Sequence, residues 1–130
     1  MFHYTVEANH SVGETVQVLE GILKDEKFGV LWDFDIKETL EKKGFDYDRN
    51  YRVLEVCNPE AAKEVLTQNH MVGYFLPCKI VVYEDQGKTN IGMPRPTALI
   101  DLTGDESLKA FAEDIESKLV TCMDKAATEE

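Results

Sequence analysis

The sequence predicts an α+β domain in which two long amphipathic helices cover one face of a mainly antiparallel sheet, with short helices inserted between strands. Three observations carry that prediction. Period-two alternation of apolar and polar residues recurs in separate segments, beginning with Phe2, Tyr4 and Val6 against His3, Thr5 and Glu7. Two other segments, after Ser11 and after Asp105, repeat apolar residues every three or four positions, the mark of a helix with one buried side. Asp85-Gln86-Gly87-Lys88 reads as a hairpin turn between the last two strands, and hairpins join antiparallel neighbours.

Taken in order, the elements follow from local chemistry. The first strand ends at the turn Asn9-His10, and Ser11-Val12-Gly13-Glu14 is a capping box whose side chains satisfy early helix amides. The helix it opens carries Val12, Val16, Leu19, Ile22 and Leu23 on one stripe and ends near Lys27-Phe28-Gly29, where Gly29 relieves the backbone. Val30 to Ile36 reads as the second strand, with Val30, Trp32, Phe34 and Ile36 on one face. Asp35 caps a short helix from Ile36 to Lys43, which Gly44 terminates. Tyr51 to Cys57 is the third strand. Asn58-Pro59 then starts a helix to about Asn69, because Asn caps and Pro at the first helical position gives up an amide that has no partner there. Ala62, Val65 and Leu66 form its inner side.

Cys78 to Glu84 is the fourth strand and Thr89 to Met93 the fifth. Met93-Pro94-Arg95-Pro96 breaks the sheet, and Thr97 to Leu102 fits a strand or a short helix equally well. A final helix runs from its cap at Asp105 to Lys125 on a stripe that includes Leu108, Phe111, Ile115, Leu119 and Cys122. The tail 126–130 is predicted to fray. No internal repeat, low-complexity stretch or linker divides the chain, so residues 1–130 read as one domain. The sheet face away from the two long helices needs cover, and a homodimer is the simplest way to supply it.

Composition narrows the function classes. Lys and Arg number 14 against 25 Asp and Glu, a formal net charge of −11 that repels phosphate backbones and anionic lipid surfaces. The expectation is therefore no nucleic-acid partner and no membrane partner. Met1 to Glu7 lacks the basic start and apolar run of a signal peptide, and no stretch approaches bilayer-spanning length, so the chain reads as cytoplasmic. Three cysteines at irregular spacing (Cys57, Cys78 and Cys122) fit reduced thiols and not a disulfide framework.

Several short motifs occur in a fixed order: Phe28-Gly29-Val30-Leu31, Cys57-Asn58-Pro59, Leu76-Pro77-Cys78, then Val82-Tyr83-Glu84. In these motifs and their order the chain resembles the domain-of-unknown-function 302 family over nearly its whole length, from about Tyr4 to Leu119. The resemblance implies a β-α-β(4)-α fold grouped with the TATA-binding-protein-like folds, and a dimer. It implies no DNA binding, because a fold does not carry a function with it. Met93-Pro94-Arg95-Pro96-Thr97-Ala98 departs from the pattern, which has a more helical start at that point.

The candidate site residues are Cys57, Cys78 and Glu55. Cys57 precedes a helix, whose dipole and free amides favour thiolate, and Cys78 opens a strand after a proline-fixed bend. If the third and fourth strands are neighbours, the two sulfurs can approach each other or share a soft metal ion. Alternation puts Glu55 on the same face as Cys57, where it can orient a thiol or pair with Arg52, Lys79 or a partner chain. Against this, free cysteine is most often a small buried hydrophobe. Cys122 lies on a helix stripe and reads as packing. Asp33 with Asp35, and His3, His10 and His70, fit surface or structural roles. The aromatics Tyr4, Trp32, Phe34, Tyr51, Tyr74, Phe75 and Tyr83 can line a pocket, though such residues more often serve a core or a dimer interface. No zinc spacing, phosphate-cradling loop, Gly-x-Ser-x-Gly elbow or His-Glu-x-x-His motif occurs, so the sequence specifies no cofactor and no catalytic residue.

Two readings follow. The first is a homodimeric, non-enzymatic binding or accessory domain that holds a small molecule, a metal or a protein partner near Cys57 and Cys78. The alternative is a thiol redox or sulfur-handling protein with Cys57 as the reactive thiolate and Cys78 as its resolving partner.

Overall fold

A computed structural model describes residues 1–129. Its elements are strand β1 (His3–Ala8), helix α1 (Val12–Asp25), β2 (Gly29–Asp35), α2 (Ile36–Lys42), β3 (Tyr51–Cys57), α3 (Pro59–Gln68), β4 (Cys78–Asp85), β5 (Lys88–Pro94), α4 (Pro96–Asp101) and α5 (Lys109–Thr128). Single 3₁₀ turns at His70–Tyr74 and Glu106–Leu108 join α3 to β4 and α4 to α5. The strands form one sheet in the order β1-β5-β4-β3-β2, every neighbouring pair antiparallel. This is the α+β architecture expected.

Local chemistry sets the element ends. Ser11 Oγ accepts the Glu14 amide at the start of α1 and donates to the Glu14 carboxylate at 2.9 Å. Asp35 accepts the Glu38 amide at 3.0 Å to start α2, and Asn58 accepts the Ala61 amide at 3.2 Å to start α3. The β4–β5 turn needs two residues at positive φ, Gln86 at 53° and Gly87 at 78°, a combination that only short polar residues and glycine accept readily.

One face of the sheet, carrying Val6, Ile91, Val82, Ile80, Leu54 and Val56, meets α1 and α5. Leu19 and Leu23 from α1, and Leu119, Cys122 and Met123 from α5, are fully buried between the layers. A second, smaller cluster holds Val65, Val72, Ile100, Leu108 and Ala112, and it joins α3, the turn at His70–Tyr74, α4 and α5. Among the described residues no helix covers the opposite sheet face. On it Trp32 stacks on Phe34 with ring centres 5.1 Å apart, and Tyr51 stacks on Tyr83 at 5.0 Å.

Three expectations need correction, and one left open is decided. The second strand does not alternate strictly: a bulge between Val30 and Trp32 puts Val30 opposite Val56 on the helix side and Trp32 opposite Glu55 on the other. The end of α1 is relieved at Lys27, with φ 67°, and not at Gly29. The segment 97–102, open between strand and helix in the sequence, is helical: residues 97–101 belong to α4, which Pro96 starts, and Leu102 is its C-cap. The tail does not fray as predicted. The helix continues to Thr128 because Ala126 and Ala127 extend the apolar stripe and are buried against the core; Glu130 lies outside the described residues.

Candidate functional site

The sheet ends where β3 stops, β4 starts and β5 stops, and there α1 no longer covers it. Instead α3, the turn at His70–Tyr74, the bend at Phe75–Pro77, α4 and α5 form a wall around that end. Between wall and sheet lies a pocket of about 310 Å³. Phe28, Val56, Met93, Ile100, Phe111, Ile115 and Leu119 line its depth, and Glu55, Cys57, Asn58, Cys78 and Lys79 also border it. All three candidate residues therefore border one cavity, with Cys78 alone on the sheet face that the cavity adjoins. The reason is the β3–β4 register: Glu55 pairs with Lys79 and Val56 with Cys78, so Cys57 and Cys78 leave neighbouring strands one step apart.

That same register separates the two sulfurs. Val56 and Cys78 share the helix-side face, whereas alternation sends Glu55 and Cys57 to the other. The backbones adjoin and the side chains diverge. Burial pushes the Cys57 thiol up, and burial together with the neighbouring Cys57 pushes Cys78 up to about 11. At Cys57, desolvation thus prevails over the lowering expected from the dipole of α3. Both thiols stay protonated near neutral pH. Cys122 is fully buried on the α5 stripe, where it packs as expected.

The other ionisable candidates are used structurally. The Arg52 guanidinium makes a bidentate pair with Asp33 across β2 and β3, through Nε at 2.8 Å and a second, shorter contact. Asp35 is the cap of α2. His3 bonds Thr5 within β1, and His10 meets the Glu129 carbonyl. Among the described residues no three His, Cys, Asp or Glu side chains come together as a metal-binding group.

Sequence reasoning found only part of the wall. Tyr74 and Phe75 stood among the aromatics able to line a pocket, but nothing in the spacing connected them to Leu99 or Phe111. A signal did exist in Pro96, a proline at a first helical position that marks α4. What ties α4 down is Glu116 of α5. It accepts the Thr97 amide at 3.1 Å and the Thr97 hydroxyl at 2.7 Å, and receives Arg95 Nε and Nη2 at 3.2 Å each. Burial opposes ionisation of Glu116, but these donors outweigh it and hold the carboxyl below its ordinary value.

No helix among the described residues is long and apolar enough to cross a membrane. No curated protein matches the chain. A solved structure described as an uncharacterized conserved protein DUF302 from Bacillus stearothermophilus is 51% identical, covers 97% of this chain and 98% of its own, and superposes with a TM-score of 0.94. The family described as Domain of unknown function DUF302 matches residues 4–126, which takes in all five strands except His3, and the pocket wall. On both counts, sequence over nearly its full length and backbone, the chain belongs to the DUF302 family.

Proposed function

We propose that the chain is a non-catalytic binding domain, working as a homodimer, whose pocket beside Cys57 and Cys78 receives a small molecule. The observation that carries this reading is the pocket itself. It falls within the usual size of ligand sites, its walls are mostly carbon, and a few polar groups gather beside Cys57. A small molecule is favoured over a metal ion because the thiols diverge and stay protonated, and metal ligation needs thiolate. The thiol-redox alternative is weaker for the same reason, since a nucleophilic Cys57 requires a lowered pKa.

The test is a native mass spectrum of freshly purified protein beside that of Ala62→Trp, which places an indole at the pocket wall. Extra mass on the native wild type that disappears on denaturation, and that the folded variant lacks, is the expected result. The same extra mass on Ala62→Trp would place the ligand elsewhere, and turnover of a substrate by the protein unaided, lost in Cys57→Ala, would replace binding with catalysis.

The bare sheet face favours a second copy as partner. Besides its stacked aromatics it presents Val53, Val81 and Gly92 along its centre. Three carboxylates (Glu7, Glu55 and Asp85) and two ammonium groups (Lys79 and Lys88) stand on it, so this face escapes most of the chain's net charge of −11. A copy of so acidic a chain meets least repulsion there.

A further inference from the structure

We infer that residues 59–76, helix α3 with the turn and bend that follow it, form a lid that swings aside to admit the pocket's ligand. The inference rests on the binding reading above and adds the route by which the ligand enters. A route is needed because the pocket floor is closed to solvent. Phe28, Val56, Met93, Ile115 and Leu119 line it, and each exposes 5% of its surface or less. Side chains that water barely touches can be touched by a ligand only if the wall moves.

The parts of the wall differ in how firmly they are held. α5 packs along α1 and β1 in the main core. α4 is pinned to α5 through Glu116, which takes bonds from Thr97 and Arg95. Segment 59–76 has far less. α3 packs chiefly against the turn that follows it, and only Val65 and Val72 of the segment are fully buried, against Ile100, Leu108 and Ala112. Among the described residues one side-chain hydrogen bond ties the segment to the rest of the chain: Asn69 Nδ2 donates to Asp105 Oδ2 at 3.0 Å. No ion pair among those residues reaches it. Few buried side chains and few cross-bonds are what a locally opening unit requires.

The segment also has the geometry of a flap. β3 and β4 pair as far as Val56 and Cys78, so Asn58 and Pro77 leave neighbouring points of the sheet, and the chain between them can turn about that base. Tyr74 marks the moving edge, since it borders the pocket and is 77% exposed. Asn69 is the latch. Its side-chain oxygen accepts the Met71 amide at 3.0 Å and shapes the turn, while its nitrogen holds Asp105, whose other oxygen accepts from Ser107.

The three cysteines supply the test, because each reports a different place. Cys78 lies on the sheet face that adjoins the pocket, Cys57 on the bare face, and Cys122 in the main core. The full chain is labelled with N-ethylmaleimide at pH 8, and each thiol is followed by peptide mass. Asn69→Asp keeps the oxygen that Met71 uses and sets a carboxylate against Asp105. The folded variant is expected to label Cys78 about fivefold faster than the wild type, with Cys57 and Cys122 unchanged. Cys78 labelling that the folded variant leaves unaltered, or that rises in step with Cys122, overturns the lid. Hydrogen exchange of the wild type is the second measurement and needs no variant. Amides of α3 are expected to exchange about tenfold faster than those of α5 between Ile115 and Met123, and equal protection overturns the lid. Neither readout uses a ligand, so the binding reading is judged separately by the co-purified mass.

Discussion

Cys78 shows how one side chain couples the pocket to stability. Its thiol holds its proton to about pH 11 in the folded chain against an ordinary value of 9.0, because burial and the neighbouring Cys57 disfavour thiolate. The unfolded chain therefore loses this proton first. Below pH 9 both states keep it and stability is unaffected; between pH 9 and about 11 the unfolded state gains, and stability falls. The total is about 3 kcal/mol at about 1.4 kcal/mol per pH unit. Denaturant midpoints measured from pH 8 to pH 11 are expected to decline over that window, and to decline less steeply in Cys78→Val. A wild type whose alkaline slope matches that of the variant would show that Cys78 is solvated in the folded chain.

At the scale of the element, α4 depends on its anchor more than on its sequence. Six residues are too few to hold a helix by propensity, and Arg95 offers it no side-chain cap. Glu116 supplies what is missing, and does so only while ionised. Because its folded pKa is depressed, the stability it gives is complete above the ordinary carboxylate range and is lost as pH falls through the folded value. Glu116→Gln is expected to cost about 1–3 kcal/mol and to remove that part of the acid dependence, measured as unfolding free energy at pH 7 and pH 3. Equal destabilisation at both values would show that the loss is one of packing and not of charge.

How legible each element was in the sequence follows from how local its cause is. The strand Tyr51–Cys57 matched the structure at both ends, and Asn58-Pro59 and Ser11 marked their helix starts, because caps and alternation act over a few residues. The bulge at Val30–Trp32 was not legible, since it shows only when β3 lies alongside. Nor was the burial of Ala126 and Ala127, as two alanines acquire their meaning from what they touch. The site was half legible. Element boundaries beside prolines pointed to Cys57 and Cys78, but the sheet register that parts them and the wall that encloses them are tertiary facts.

At the scale of the whole molecule the bare face sets a size requirement. Strands about 4.8 Å apart, each about seven residues long at about 3.3 Å per residue, make a face of about 550 Å² and a paired burial of about 1,100 Å². That is the lower bound for a specific interface, enough for a dimer but with little to spare. Val81→Lys places a charge near the middle of the face, opposite Val53 and Gly92. In sedimentation velocity the wild type is expected to run as a dimer at micromolar concentration and Val81→Lys as a folded monomer. A wild type that stays monomeric at every concentration would remove the second copy as the partner of this face.

The order β1-β5-β4-β3-β2 has a consequence in time as well as in space. Of the five described strands, the first in sequence hydrogen-bonds only to the fifth: His3 waits for Pro94, and Ala8 for Thr89. On a ribosome β2, β3 and β4 can pair as they emerge, while β1 trails without a partner until residues 88–94 have left the exit tunnel. Even then the sheet lacks half its cover until α5 follows. Contacts so distant in sequence make folding slow and leave apolar strands open to wrong partners meanwhile. The nascent chain is therefore most exposed to misassembly in the interval between the emergence of β4 and that of α5.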